Sequence, residues 1–178
     1  MLFGRLSAVK VSRVAGAALL LCALPSVPAV AKVPTAEIDG NKIKLEVAST
    51  REQITRGLMY RTSMPEDHGM VFLFRPPLGV KFWMAHCFIS LDMLMIKDGK
   101  IVKIFENVPP ERDKPEQECP TYPPANEPPI TVSEVVEVNG GYAKRHHIKE
   151  GDTVEFSFGT HGAEAGAAPA KTAAPATK

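Results

Sequence analysis

The segment LDMLMIKDGKIVKIFEN (91–107) carries the clearest fold information in the chain. LDMLMI (91–96) is an apolar run of strand length, and KIVKIFEN (100–107) is a second β-prone run. Between them stands Asp98-Gly99, a pair that accepts the positive φ angles of a tight two-residue turn. The segment therefore predicts a β-hairpin.

A second hairpin is predicted near the start of the domain. NKIKLEVAS (41–49) alternates apolar and charged residues with the period of a half-buried strand, and Asp39-Gly40 joins it to a short strand at 35–38. Thr50 followed by Gln53 is a capping-box pattern, which predicts a short helix over 51–59.

The rest of the chain continues the β pattern. A turn or bulge at Arg75-Pro76-Pro77 is expected to separate two strands, and the eight prolines of 108–129 predict a long surface loop without ladder or helix. Two more strands and a second short helix follow, at 130–139, 151–158 and 141–147. The sequence predicts an α+β, mainly β fold: a partly closed antiparallel β-barrel of about seven or eight short strands with two short helices.

The two ends differ from this domain in composition. Residues 1–31 have a basic start, a short apolar run and the exit Ala29-Val30-Ala31, the pattern of a signal peptide cut after Ala31. A lipid anchor on Cys22 is the alternative. Residues 159–178 are rich in Ala and Pro and are expected to be disordered, which leaves 35–158 as a single domain.

The predicted signal peptide determines the expected localisation, and its removal sets the charge of the exported chain. Its removal leaves 18 Lys and Arg against 20 Asp and Glu, about neutral with both signs interspersed. Such a surface favours neither nucleic acid nor an anionic membrane. We expect a periplasmic or secreted protein without a stable membrane span, because the apolar run of the leader is too short to cross a bilayer.

Two cysteines remain after export, Cys87 and Cys119. In an oxidising compartment an even pair is a disulfide candidate, and a buried free thiol is the alternative. Cys87 as a nucleophile is less favoured, because the adjacent His86 on a regular strand would point to the opposite face.

Soft metal ligands are concentrated in one region. Thioether, imidazole and thiolate groups together suit Cu(I), so a copper site is one hypothesis. The alternative is that methionine simply fills an irregular barrel interior. The residues concerned are Met84, His86, Cys87, Met93 and Met95.

Asp92 is the most informative acidic residue, because it falls on a strand face with apolar neighbours. A buried carboxylate needs a partner, either Arg56 or Arg61 as an ion pair or backbone amides. The functional alternative is a shallow ligand pocket with Trp83 as its floor. Its polar contacts would be Arg56, Asp92 and Asn107.

Six segments in order resemble a known family. They are RGLMYR (56–61), GMVFLF (69–74), FWM (82–84), LDMLMI (91–96), CPTYP (119–123) and EVNGGYAKRHHIKEGD (137–152). Together they resemble the bacterial and archaeal family known as domain of unknown function 192. The resemblance implies a small β-barrel-like domain, often exported, with no established activity. Here Ala85-His86-Cys87 and Ser90 stand where the family usually has Lys-Asn-Thr and Pro, so this member has altered that segment.

Three functions are therefore considered. The first is a non-catalytic domain that binds a small ligand or an envelope partner. The second is an enzyme of unknown reaction that uses Asp92 with Arg56, and the third is a Cu(I)-binding protein. No phosphate loop or Ser-His-Asp order is visible, and the sequence predicts no cofactor.

Overall fold

The computed structural model describes residues 33–158. The predicted leader (1–31) and tail (159–178) lie outside these residues. The strands are β1 Thr35–Ile38, β2 Asn41–Ala48, β3 His68–Val80, β4 Phe82–Trp83, β5 Leu91–Lys97, β6 Lys100–Val108, β7 Thr121–Tyr122, β8 Ile130–Asn139 and β9 Val154–Ser157. The helices are α1 Arg51–Arg56 and α2 Tyr142–Arg145, with a 3₁₀ turn at Glu116–Glu118.

Seven strands form one curled sheet in the order β6-β5-β8-β3-β2-β1-β9, and β4 pairs with β7 in a small separate sheet. All neighbours are antiparallel except β2 and β3. At one corner the two edges meet, because Lys100 bridges Thr153 and the Ile101 N–H donates to the Asp152 carbonyl at 3.0 Å. The predicted mainly β, partly closed barrel is confirmed.

Both predicted hairpins are present. Asp39 and Gly40 have φ angles of 47° and 76°, and Asp98 and Gly99 have 51° and 71°. Two consecutive positive φ angles are the geometry whose twist matches the strands on either side. The Asp-Gly pairs therefore set the register of β1 with β2 and of β5 with β6.

Three sequence predictions are corrected. The turn or bulge expected at 75–77 is a bulge-like irregularity between Leu73 and Leu78, and it lies inside the continuous strand β3 rather than between two strands. The proline-rich segment does contribute a ladder, because Thr121 and Tyr122, which lie between Pro120 and Pro123, pair with β4. Helix α1 ends three residues earlier than predicted, where Gly57 adopts a φ of 45° that a continuing helix does not allow.

The curled sheet is packed on both faces. Its concave interior draws apolar side chains from all seven strands, including Ala36, Ile43, Val71, Leu94, Ile101, Val136 and Val154. A second cluster joins the other face to α1 and β4, including Ile54, Leu58, Phe72, Phe82, Met93 and Val132. Since both faces are covered, functional groups must lie at the sheet ends or on the outer elements.

Helix α1 is anchored by its predicted capping box. The Thr50 hydroxyl accepts from the Gln53 N–H at 3.2 Å, and the Gln53 side chain accepts from the Thr50 N–H at 3.0 Å. Ile54 and Leu58 pack into the second cluster, which turns the opposite side of the helix toward solvent. In the described residues, no helix has the length and apolar character required to cross a membrane.

Candidate functional site

The structure separates the four predicted site residues into two places. Asp92 and Asn107 lie together beside α2. Trp83 packs with Met59, and Met59 lines a groove with Arg56 on the outer side of α1. None of the residues that line this groove contacts the Asp92 carboxylate. The single pocket predicted from the sequence is therefore not assembled.

Asp92 is fully buried and holds backbone together. Its Oδ1 accepts from the N–H groups of Asn107 at 2.6 Å and Gly141 at 2.7 Å, and its Oδ2 accepts from Ala143 at 2.7 Å. Three donors at these distances are the compensation that a buried carboxylate requires. Of the two structural alternatives, the amide-bound carboxylate is the one observed. Arg61 instead pairs with Glu46.

Asn107 sits in the backbone turn that Asp92 holds. Its side chain is exposed and its φ is 45°, a left-handed conformation that Asn tolerates better than most residues. A Cβ placed on Gly140 would lie 2.7 Å from Asn107 Oδ1 and 2.5 Å from Ser90 Oγ. Gly140 thus lets these two polar side chains approach the loop before α2.

Trp83 is only 7% exposed and forms a small cluster with Met59, Ala85 and Cys119. It cannot serve as an open pocket floor. Its contact with Met59 places it one layer below the surface of α1, where it supports the methionine side chain. Trp83 is therefore a positioning residue for the groove described next.

A surface groove runs along the outer side of α1. Its larger part, about 640 Å³, is lined by Arg51, Glu52, Thr55, Arg56, Met59 and Tyr60. A smaller part of about 360 Å³ continues toward β2, where Gln53, Arg61 and Glu46 contribute to the wall. Arg56, Met59 and Tyr60 border both parts, so the two are adjacent, and together we call them the α1 groove.

Tyr60 is the exposed aromatic residue of this groove. Its side chain is 58% exposed and its φ is 64°. The Tyr60 N–H donates to the His86 carbonyl at 2.8 Å, and the two rings stack with centroids 5.3 Å apart. The Phe88 ring meets Tyr60 edge-on at 6.2 Å. Tyr60 is thus held in a fixed orientation although it faces solvent.

Sequence reasoning did not select Tyr60 or Met59. Both fall within the helix predicted over 51–59 or directly after it, although Gly57 was a signal for its end. The available sequence signal was the position of Tyr60 directly after Gly57, Leu58 and Met59. Its exposure depends on the left-handed backbone at Tyr60 and on contact with His86, 26 residues away in sequence.

The charges of the α1 groove are unevenly matched. Arg61 donates to both carboxylate oxygens of Glu46, at 2.5 and 2.6 Å, and these hydrogen bonds hold the pKa of Glu46 below its ordinary value. Among the described residues, the guanidinium groups of Arg51 and Arg56 have no hydrogen-bond or ion-pair partner, although the Arg56 carbonyl accepts from the Met59 N–H. Glu52 is the acidic residue in the larger part of the groove. That part therefore carries a net positive charge.

Cys87 and Cys119 are both buried free cysteines, so the disulfide candidate is not formed in this structure. Cys87 packs in the second core cluster, whereas Cys119 lies with Trp83 and its Sγ donates weakly to the Lys114 carbonyl at 3.8 Å. Burial raises the pKa of the Cys119 thiol, which lowers its thiolate fraction.

The soft ligands are divided between two environments. Met84, Met93 and Met95 are fully buried in the same apolar cluster as Cys87. His86 is half-buried and stacks on Tyr60. Within 33–158, no three His, Cys, Asp or Glu side chains are grouped to hold a metal ion. The five residues therefore do not share one polar site.

Comparison with known proteins identifies the family. Residues 34–156 match the model of DUF192, described as Uncharacterized ACR. Two solved structures are similar. One is a proposed transcription regulator from Sinorhizobium meliloti 1021, 32% identical, with a TM-score of 0.57 over 71% of this chain and 96% of that one. The other is a protein of unknown function from Novosphingobium aromaticivorans DSM 12444, 31% identical, with a TM-score of 0.57 over 75% and 94%. No curated protein matches the sequence. The chain belongs to the DUF192 family.

Proposed function

We propose that this protein is a non-catalytic binding domain whose ligand docks in the α1 groove. The observation that carries the proposal is the exposed, rigidly held Tyr60 beside Arg56, whose charge has no partner among the described residues. An open apolar surface with a few placed polar groups is the usual make-up of a ligand site. Packing on a preorganised ring also costs a ligand less ordering entropy.

The enzyme alternative receives less support. It requires Asp92 to act with Arg56, but the Asp92 carboxylate is fully buried and engaged by three amide donors. Arg56 is exposed on α1, and the groove that it lines does not include Asp92. The Cu(I) alternative is weakened by the separation of His86 from the buried methionines.

We also propose that binding takes place outside the cytoplasm, in the periplasm or as a secreted protein. The support is the leader-like pattern of residues 1–31. The description of the Sinorhizobium relative as a regulator does not set the role of this chain, because 18 basic against 20 acidic residues after position 31 do not favour a nucleic-acid partner.

Fragment binding followed by ¹H–¹⁵N NMR tests the proposed site. A library of small aromatic and anionic fragments is titrated into the ¹⁵N-labelled protein, and shifted amides are mapped. We expect the binders to shift residues 51–61 and to lose affinity in Arg56→Ala and in Tyr60→Ala. Lys144→Ala, which removes an exposed charge on α2, is the matched control. Shifts concentrated elsewhere in the domain would refute the site.

A further inference from the structure

The chemical class of the ligand can be inferred from the α1 groove. This step rests on the proposed binding function. Arg51 and Arg56 line the same part of the groove as Glu52, and neither forms an ion pair with a carboxylate among the described residues. The nearby Arg61 is already paired with Glu46. A ligand with negative charge would thus meet two free guanidinium groups, each able to bind a carboxylate in bidentate fashion.

Helix stability does not account for Arg51. It is the first residue of α1, where the backbone dipole favours an acidic side chain and disfavours a cation. Arg56, in the last turn, is at a position that the dipole does favour. Because Arg51 opposes the stability of its own helix, its position is better explained by an interaction with something outside the chain.

The shape of the groove favours an extended ligand. Its two parts are joined by Arg56, Met59 and Tyr60, so a continuous ligand could cross from one part to the other. The exposed Tyr60 ring, with the largely buried Met59 beside it, provides an apolar contact between the charged positions. An acidic peptide segment in an extended conformation matches this sequence of charged and apolar contacts.

We propose that the partner is an acidic segment of another protein. An aromatic or large aliphatic side chain of that segment packs on Met59 and Tyr60, while flanking carboxylates pair with Arg51 and Arg56. The interaction is a surface one, so its charge pairs are screened by salt. Trp83 contributes indirectly, since it lies beneath Met59.

Fluorescence anisotropy with matched peptides tests this proposal. The probes are four fluorescein-labelled pentapeptides. In three of them a central Phe is flanked on each side by two Asp, two Asn or two Lys residues. The fourth has the Asp flanks with Ala at the centre. We expect the Asp-Phe peptide to bind at least about fivefold more tightly than the Asn peptide, and the Lys peptide to bind weakest. The affinity of the Asp-Phe peptide should fall as the salt concentration rises, and it should also fall when the central Phe is replaced by Ala.

Variants separate the charges of the groove from net charge. Arg51→Ala with Arg56→Ala should remove the preference for Asp over Asn, whereas Lys97→Ala with Lys144→Ala, which removes two exposed charges elsewhere, should keep it. Circular dichroism verifies that each variant is folded. Equal affinity for the Asp and Asn peptides would overturn the acidic partner.

The outcome distinguishes the two proposals. If fragments bind in the α1 groove but the Asp-Phe peptide has no advantage, the acidic partner is wrong and the binding function stands. If phenylacetate binds as tightly as the peptide, the ligand is a small anion and the protein partner is wrong. If neither fragments nor peptides bind in the groove, both proposals fail.

Discussion

The Asp92 carboxylate accepts a hydrogen bond at 2.7 Å from the backbone N–H of Ala143, a residue 51 positions later in the chain. The same carboxylate binds the N–H groups of Gly141 and Asn107. One buried acid thus joins β5, the end of β6 and the start of α2. These three hydrogen bonds give a structural reason for an acidic residue in an otherwise apolar strand.

Asp92→Asn is expected to destabilise the protein by about 3 kcal/mol. One carboxylate oxygen is replaced by an NH₂ group, which cannot accept from the amides and faces at least one of them at close range. Urea unfolding measures the loss. Asp152→Asn is the matched control, since the Asp152 carboxylate accepts only from the Lys149 N–H among the described residues, at a partly exposed site, and the variant should lose less than about 1 kcal/mol. A wild-type stability for Asp92→Asn would show that the three hydrogen bonds are dispensable.

The Glu46–Arg61 pair predicts a pH dependence. In the unfolded chain Glu46 has its ordinary pKa of 4.5, and in the folded protein Arg61 lowers that pKa. Between the two values the unfolded state binds more protons, so this contribution to stability is present above pH 4.5 and is lost as the pH falls through the folded pKa. Because the pair is half-exposed, the effect should stay below about 1 kcal/mol.

Urea unfolding at several pH values between 3 and 6 measures this contribution. Glu46→Gln should be less stable than wild type at pH 6, and the difference should narrow as the pH falls below 4.5. Glu106→Gln replaces an exposed glutamate of β6 that has no ion pair among the described residues, and should not reproduce this convergence. A constant difference between Glu46→Gln and wild type at every pH would contradict the assignment.

The cysteines should behave as two buried thiols. Cys87 and Cys119 are 5% and 8% exposed, and burial raises the pKa of Cys119. In the chain without residues 1–31, purified without reductant, a thiol reagent should react slowly in the native state and with two thiols after unfolding. Zero reactive thiols in denaturant would show that the bridge forms.

The leader pattern predicts a defined mature terminus. Cleavage after Ala31 would leave Lys32 as the first residue of the exported protein, and Cys22→Ser should not affect this processing. N-terminal sequencing and intact mass of the periplasmic or culture fraction give the result. An acylated N-terminal Cys22 would establish the lipid anchor instead.

Local sequence features predicted much of the fold because they act through neighbouring residues. Asp98-Gly99 fixes a tight turn by its own backbone preferences, and the Thr50–Gln53 box caps α1 within four residues. The parallel pairing of β2 with β3 has no such local signal, since it depends on α1 packing across the sheet. The ladder at Thr121–Tyr122 likewise depends on a distant partner, the strand Phe82–Trp83.

The candidate site was harder to predict because it also depends on contacts between residues that are distant in the sequence. Arg56 lines the α1 groove, but its predicted association with Asp92 assumed that a buried acid needs a cationic partner. Backbone amides of the loop before α2 meet that need instead. The exposed position of Tyr60 depends on the stacking of its ring on His86, a contact between segments that are distant in the sequence.

A crystal structure of the protein with a bound fragment or Asp-Phe peptide tests the central claim most directly. The account predicts ligand density against Met59 and Tyr60, with a carboxylate within hydrogen-bond distance of Arg51 or Arg56. Density centred on Asn107 and Ser90, with the α1 groove empty, would contradict it.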